Sequence, residues 1–266
     1  VKSERHQMWD EERLRAEEPH YLTAGIVGAA AYPEYATDDA RLTLGNVRSA
    51  AAAGATVLNY AGVGEMLVEH DRVCGAIVRD TLTGGKYSAR IQAKVVVNAA
   101  GPWLDDVRTL EDRTAPERLQ LTKGIHVVVK RERLPINNMV MLTKADKSQA
   151  FAIPRGAYVY IGTTDTFCSK PAYWPGVTCV DVDALLGAAS RVFDIEALVH
   201  EDVVSVWAGV RPLLAQAGKK PSEISRRNEI MTGKRGMLSV AGGKLTSYRI
   251  MAERVVDACE KQLGHK

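Results

Sequence analysis

Runs of apolar residues, broken by glycine, proline and charge, predict a mixed α/β (α+β) chain over these 266 residues. Residues 3–18 are rich in charge, and residues 11–18 read as an exposed helix ended by Pro19, with no strand before it. Gly25-Ile26-Val27-Gly28-Ala29-Ala30-Ala31-Tyr32 is small and apolar. Its two glycines lack GxGxxG spacing, so they point to close strand packing and not to a phosphate loop. A helix opens after Tyr35, where Thr37 or Asp38 can cap its first free N–H groups. Its apolar face runs through Leu44, Val47 and Ala51, and Gly54 stops it. Residues 56–60 then read as a short strand. Two more follow over 65–69 and 73–80, joined by His70-Asp71-Arg72, and Thr83-Gly84-Gly85-Lys86 turns into another over 87–91. This stretch is an antiparallel meander without evident chemistry.

The pattern changes at Val95-Val96-Val97, a continuous apolar strand of the buried, parallel type. Asn98-Ala99-Ala100-Gly101 is a small-residue turn, and Pro102 starts a helix where its missing N–H costs nothing. The same strand, glycine turn and helix recur near the end. Met237-Leu238-Ser239-Val240 leads into Ala241-Gly242-Gly243-Lys244-Leu245-Thr246-Ser247-Tyr248-Arg249, then an apolar helical run from Ile250. Adjacent glycines let a ligand approach the backbone, and a helix start offers free N–H groups and a positive dipole end. Lys244 adds a full charge. Such a place suits an anion, or a ring that becomes anionic on reduction. The plainer alternative at both turns is a tight connection whose glycines only save space.

Between these turns the chain alternates with period two. Strands are expected at 122–129, 151–154 and 158–166, then an amphipathic helix over 180–193 and a strand over 203–210. His126 lies between Ile125 and Val127 and so points to the opposite sheet face from them. Arg211 follows an apolar strand containing Trp207 and precedes Pro212, which restricts its backbone. A guanidinium in such a setting needs an anionic partner. Arg211, Arg226 and Lys244 together would make a clamp for a phosphate or a carboxylate. Each taken singly reads equally as a surface salt bridge.

Composition narrows the partners. The chain is 46% apolar and 25% charged, and its net charge of +3 makes no strong case for nucleic acid. No apolar run approaches the roughly 20 residues that span a bilayer, and no secretory signal is visible. Cys74, Cys168, Cys179 and Cys259 are widely spaced and form no CxxC pair, which argues against a metal site and for reduced thiols in a cytoplasmic protein.

Eight segments carry a resemblance. They are Tyr35-Ala-Thr-Asp-Asp-Ala-Arg-Leu42, Val97-Asn-Ala-Ala-Gly-Pro-Trp103, Thr122-Lys-Gly-Ile-His126 and Phe151-Ala-Ile-Pro-Arg155, then Gly162-Thr-Thr-Asp-Thr166, Trp207-Ala-Gly-Val-Arg-Pro-Leu213, Pro221-Ser-Glu-Ile-Ser-Arg226 and Ala241-Gly-Gly-Lys-Leu-Thr-Ser-Tyr-Arg249. In this order and spacing they resemble the FAD-dependent glycerol-3-phosphate dehydrogenase/oxidase family, within the D-amino-acid-oxidase-like flavoproteins. The resemblance implies parts of an FAD-binding Rossmann-like domain (1–60, 93–120 and 236–266), a meander (61–92) and an antiparallel-sheet substrate domain (121–235). It implies FAD against Asn98, Ala99, Gly101, Trp103, Gly242, Gly243, Lys244, Leu245 and Thr246. It places Arg211 and Arg226 on the substrate phosphate, with Thr163, Thr164, Asp165 and Tyr35 lining the substrate side. His126 becomes the base, with Arg211 and Lys244 beside it in the catalytic set.

The reaction implied is hydride transfer from C2 of sn-glycerol 3-phosphate to flavin N5, giving dihydroxyacetone phosphate. Quinone and O₂ stand as alternative acceptors. The location implied is cytoplasmic with peripheral contact on the inner face of the cell membrane, and homo-oligomers fit the same picture. Against the family pattern this chain has no N-terminal GxGxxG segment and no C-terminal helical extension, and it is shortened near 144–150 and 193–199. It is expected to be a piece that holds FAD poorly. Two other readings stay open: a flavin oxidase of amino or hydroxy acids, and a non-catalytic substrate-domain fragment without flavin.

Overall fold

The computed structural model describes residues 6–216 and 228–264. Its first elements are β1 (Gln7–Trp9), α1 (Glu11–Glu17), β2 (Ala29–Ala31), α2 (Asp39–Ala52), β3 (Ala61–Glu69), β4 (Arg72–Asp80) and β5 (Ser88–Gln92). Then come β6 (Val97–Asn98), α3 (Leu104–Glu111), β7 (Leu119–Lys130), β8 (Val140–Thr143), β9 (Gln149–Arg155), β10 (Tyr158–Gly162) and β11 (Thr166–Phe167). The last are α4 (Cys179–Ser190), β12 (Val203–Leu214), β13 (Asn228–Thr232), β14 (Leu238–Gly242) and α5 (Tyr248–Leu263). They divide into two compact units, Val1–Tyr35 with Thr122–Arg211 and Ala36–Leu121 with Pro212–Lys266.

The first unit is built on a sheet of order β11-β7-β10-β9-β8, with β12 also paired to β7. Alternation sends Ile125, Val127 and Val129 of β7, Ala150 and Ala152 of β9, and Val159 and Ile161 of β10 into one core against Leu185, Leu186, Ala188 and Ala189 of α4. The α4 helix starts where Thr178 and Asp181 cap each other reciprocally.

Residues 6–35, part of the 1–60 stretch that the resemblance groups with the flavin domain, pack in this unit. The Leu22 N–H donates to the Val192 carbonyl at 2.9 Å, and Tyr21 meets Phe193 edge-on at 5.7 Å. The buried Glu18 carboxylate accepts from the backbone N–H groups of Asn137 and Asn138. A strand does precede α1, contrary to the sequence expectation: β1 pairs antiparallel with β2. At three residues it is too short for a periodic signal. Of the two glycines expected to allow close strand packing, Gly28 does, since a Cβ there would lie 2.5 Å from the Trp9 carbonyl oxygen, whereas Gly25 has open space around it and takes a left-handed φ of 76° in a turn.

The second unit contains the meander β3-β4-β5 and a sheet of order β13-β14-β6. Tight reversal between β3 and β4 falls on His70 (φ 49°) and Asp71 (φ 58°), polar residues that tolerate left-handed backbone. Asp38 caps α2 by accepting from the Arg41 N–H. The strand expected at 56–60 does not form, and β3 begins only at Ala61. Val57, Leu58 and Tyr60 are exposed, so this apolar run finds no sheet to join among the described residues. The core here is small: Met66, Val73 and Met237, packed by Val107 and Leu110 of α3. Glu111 closes the same region, its buried carboxylate accepting from the N–H groups of Arg235 and Met237.

Candidate active site

In the antiparallel unit, the face of β7 opposite the core carries the candidate groups. Gly124 and His126 are two residues apart and share that face. The Arg211 guanidinium lies over Gly124, where a Cβ would come within 2.5 Å of Nη1. Arg211 donates through Nη2 to Thr163 Oγ1 at 2.9 Å, and through Nη1 to the Thr164 carbonyl at 3.3 Å and to Asp165 Oδ1 at 3.2 Å. The anionic partner required of a sheltered arginine is thus Asp165, within the same unit. Acceptors among the described residues thus orient the guanidinium within its own unit.

The tip that holds Arg211 is itself held. Buried Thr164 accepts the Ile125 N–H at its hydroxyl, and the buried Lys144 ammonium donates to the Thr163 carbonyl at 3.1 Å. His126 pairs in register with Gly162 of β10 and stacks on Trp207, ring centroids 4.8 Å apart and planes 8° from parallel. Lys123, next in sequence to Gly124, turns the other way and bonds Asp181 at 2.6 Å. Burial pushes the Asp181 carboxyl up, but the Lys123 ammonium and the Thr178 N–H and hydroxyl outweigh it and hold it below the usual carboxylate range.

In the other unit, β14 and β6 run parallel, with Leu238 opposite Val97 and Ser239 opposite Asn98. The two glycine turns therefore leave the carboxyl ends of adjacent parallel strands, the place where open α/β sheets receive ligands. The parallel pairing expected of residues 95–97 is present, but β6 is only two residues long and its Val97 is exposed. Asn98 is buried and ties the first turn together. Its Nδ2 donates to the Leu104 carbonyl at 2.9 Å and its Oδ1 accepts from the Ala100 N–H. Ala100 (φ −76°, ψ 10°) followed by Gly101 (φ 55°) is a right-handed then left-handed pair, which gathers successive N–H groups into an anion-binding concavity.

In the second turn Gly242 and Gly243 have φ of 72° and 88°, and a Cβ on Gly243 would run into the Met251 sulfur of α5. Helical structure does start at Pro102 and ahead of the apolar run from Ile250, but each helix is entered through a 3₁₀ turn, Gly101–Trp103 before α3 and Leu245–Ser247 before α5. Ala99, Lys244, Leu245 and Thr246 are exposed, and Trp103 is half-buried. Left-handed glycines and unshielded turn backbone at two neighbouring strand ends fit a flat anionic cofactor.

The structure thus brings together Arg211, Thr163, Thr164 and Asp165 with His126 on one sheet face, and the residues around Asn98 and Gly242 on one sheet edge. Tyr35 is exposed, its N–H bonded to the neighbouring Glu34 carboxylate. Arg226, with Pro221 and the rest of that motif, lies outside the described residues. Sequence reasoning passed over Lys144, Gly124 and Gly162 as working parts. The two glycines were visible inside quoted motifs, yet only cross-strand pairing shows which side chains they make room for.

One sheet edge of parallel strands with glycine turns, and one antiparallel sheet with a fixed guanidinium and an imidazole, define a flavoprotein oxidoreductase fold. The chain belongs to the FAD-dependent oxidoreductase family, whose model matches residues 2–249. It is 44% identical over 264 residues to the aerobic glycerol-3-phosphate dehydrogenase of Staphylococcus aureus (strain USA300), covering 98% of this chain and 47% of that protein. The solved glycerol-3-phosphate dehydrogenase from Bacillus halodurans complexed with FAD superposes with a TM-score of 0.88 at 40% identity, over 97% of this chain and 50% of that one. Reduced L-α-glycerophosphate oxidase from Mycoplasma pneumoniae with FAD bound shares the fold at a TM-score of 0.64 and 18% identity, over 98% of this chain and 65% of that one. The chain spans about half the length of the curated relatives it matches.

Proposed function

We propose that this chain supplies the substrate sheet and the flavin-side turns of an FAD-dependent dehydrogenase that oxidises sn-glycerol 3-phosphate to dihydroxyacetone phosphate. The observation that carries the reading is Arg211, oriented by Thr163, Thr164 and Asp165 on the sheet face that also bears His126. Similarity to the two glycerol-3-phosphate dehydrogenases supports it. Arg211, with Arg226, binds the phosphate dianion by forked, charge-assisted hydrogen bonds. His126 takes the C2 hydroxyl proton, a transfer that suits an imidazole near neutral pH. Lys244 and Tyr35 line the substrate side. Bound FAD supplies the acceptor for the C2 hydride. Backbone N–H groups over 242–246 face the growing negative charge, and residues 98–103 pass along the cofactor backbone.

The domain assignment belongs to the same proposal, with residues up to 35 moved to the antiparallel unit: flavin-side parts in 36–60, 93–120 and 236–266, the substrate domain in 121–235. Quinone is the acceptor we propose, in keeping with the dehydrogenase relatives, and a membrane-dissolved acceptor carries with it peripheral contact with the inner membrane face. Among the described residues no helix is long and apolar enough to cross a membrane.

The test uses the protein that carries this chain, loaded with FAD. Glycerol 3-phosphate is expected to bleach the flavin absorption anaerobically, and a quinone analogue to restore it faster than O₂. Arg211→Ala is expected to raise KM for glycerol 3-phosphate about 100-fold, as loss of a charged partner implies, and to leave KM for glycerol nearly unchanged. Equal changes for both substrates would remove the phosphate role.

A further inference from the structure

The imidazole of His126 sits in a slot whose walls come from two other strands. On one side is Gly162 of β10, its direct cross-strand partner. A Cβ at Gly162 would lie 2.6 Å from His126 Nε2 and still closer to Cδ2, so the ring leans across the space that this glycine leaves empty. The Trp207 indole of β12 stacks on the ring at 4.8 Å and 8°. Tyr160 then meets Trp207 edge-on, 5.0 Å away at 83°. Tyr160 pairs with Val128, two residues from His126 on the same face, so the indole is braced by the strand that also supplies Gly162. A parallel stack restrains rotation about the ring's side-chain torsions, which are otherwise broad.

We propose that Trp207 is a positioning residue for His126. It holds the imidazole in one orientation, with a ring nitrogen presented for the C2 hydroxyl proton. This rests on the reading of His126 as the base. The balance of the proton step is unchanged by Trp207: the hydroxyl O–H breaks, a ring N–H forms, and the C2 hydride leaves to bound FAD. Trp207 takes no proton. Its effect is on the fraction of substrate encounters in which nitrogen and hydroxyl are aligned, and it should therefore appear in kcat and not in KM.

The experiment measures anaerobic flavin reduction by glycerol 3-phosphate in the FAD-loaded full-length protein. Trp207→Leu is expected to lower the limiting reduction rate about 100-fold, the scale of a misplacement near 1 Å, with KM within twofold. Trp207→Phe, which keeps a stacking ring, should recover most of the rate. Gly162→Ala should reproduce the Leu defect by pushing the ring from its slot. In a His126→Asn background, Trp207→Leu should cost nothing more, because the group it positions is gone. A Trp207→Leu protein with the wild-type rate would overturn the proposal, as would an undiminished loss in the His126→Asn background or equal losses for Leu and Phe. An unimpaired His126→Asn protein overturns the base reading itself; an impaired one beside a normal Trp207→Leu protein overturns only the positioning.

Discussion

In the antiparallel unit the groups proposed to act are side chains gripped by other side chains. Arg211 has three acceptors among the described residues, His126 has an indole against it, and both stand on a sheet whose other face is a continuous core with α4. In the other unit the groups proposed to act are backbone. The turns at Gly101 and at Gly242-Gly243 present peptide N–H groups, and among the described residues the buried cluster of this unit, Met66, Val73 and Met237, is much smaller than the core under the antiparallel sheet. The helices α2 and α5 bury no residue at all. A side-chain site needs a rigid floor, because the orientation of a long arginine is otherwise lost to rotamer freedom. A backbone site needs little more than the dihedral angles of its turn, so it persists on a thin core.

The largest test of this contrast is Leu185→Ala, which opens a cavity between α4 and the sheet. It is expected to cost about 2–5 kcal/mol, read as a lower denaturation midpoint. A loss below about 1 kcal/mol would mean that the floor under the site is not rigid. Next is Gly243→Ala. Strained backbone costs about 1–3 kcal/mol, and the added methyl must displace Met251. This variant should lose flavin retention in the full-length protein while substrate-side stability is kept. Normal flavin content would show that the turn does not serve the cofactor.

The effect of pH is smaller and confined to the antiparallel unit. The carboxyl of Asp181 is held below its unfolded value, so its contribution is fully present above the ordinary carboxylate range, near pH 4. It is lost as pH falls through the lowered folded value. Asp181→Asn should flatten that acid limb of the stability curve, and an unchanged limb would show that Lys123 does not hold the carboxylate. The smallest expected change is Ile250→Ala on the exposed face of α5, within about 0.5 kcal/mol for this chain alone. A cost several times larger would show that the face is covered, and the contrast in packing between the units would have to be redrawn.

Much of this was legible in the chain itself. Alternation around Ile125, His126 and Val127 assigned the core face and the chemical face of β7, because side chains in a strand must point to opposite sides. Asp38 and Pro102 marked where helical structure starts, since capping and proline geometry are local. The glycines at 242 and 243 announced left-handed backbone, which other residues rarely adopt. What local rules could not supply was partnership across strands. That Asp165 is the anion beside Arg211, that Lys144 holds the Thr163 carbonyl, and that Gly162 and Trp207 form the walls around His126 depend on register between strands distant in sequence. The grouping of residues 6–35 with the antiparallel unit, and the failure of 56–60 to become a strand, have the same origin. Periodicity states which face of an element seeks burial; only the folded chain decides which surface meets it.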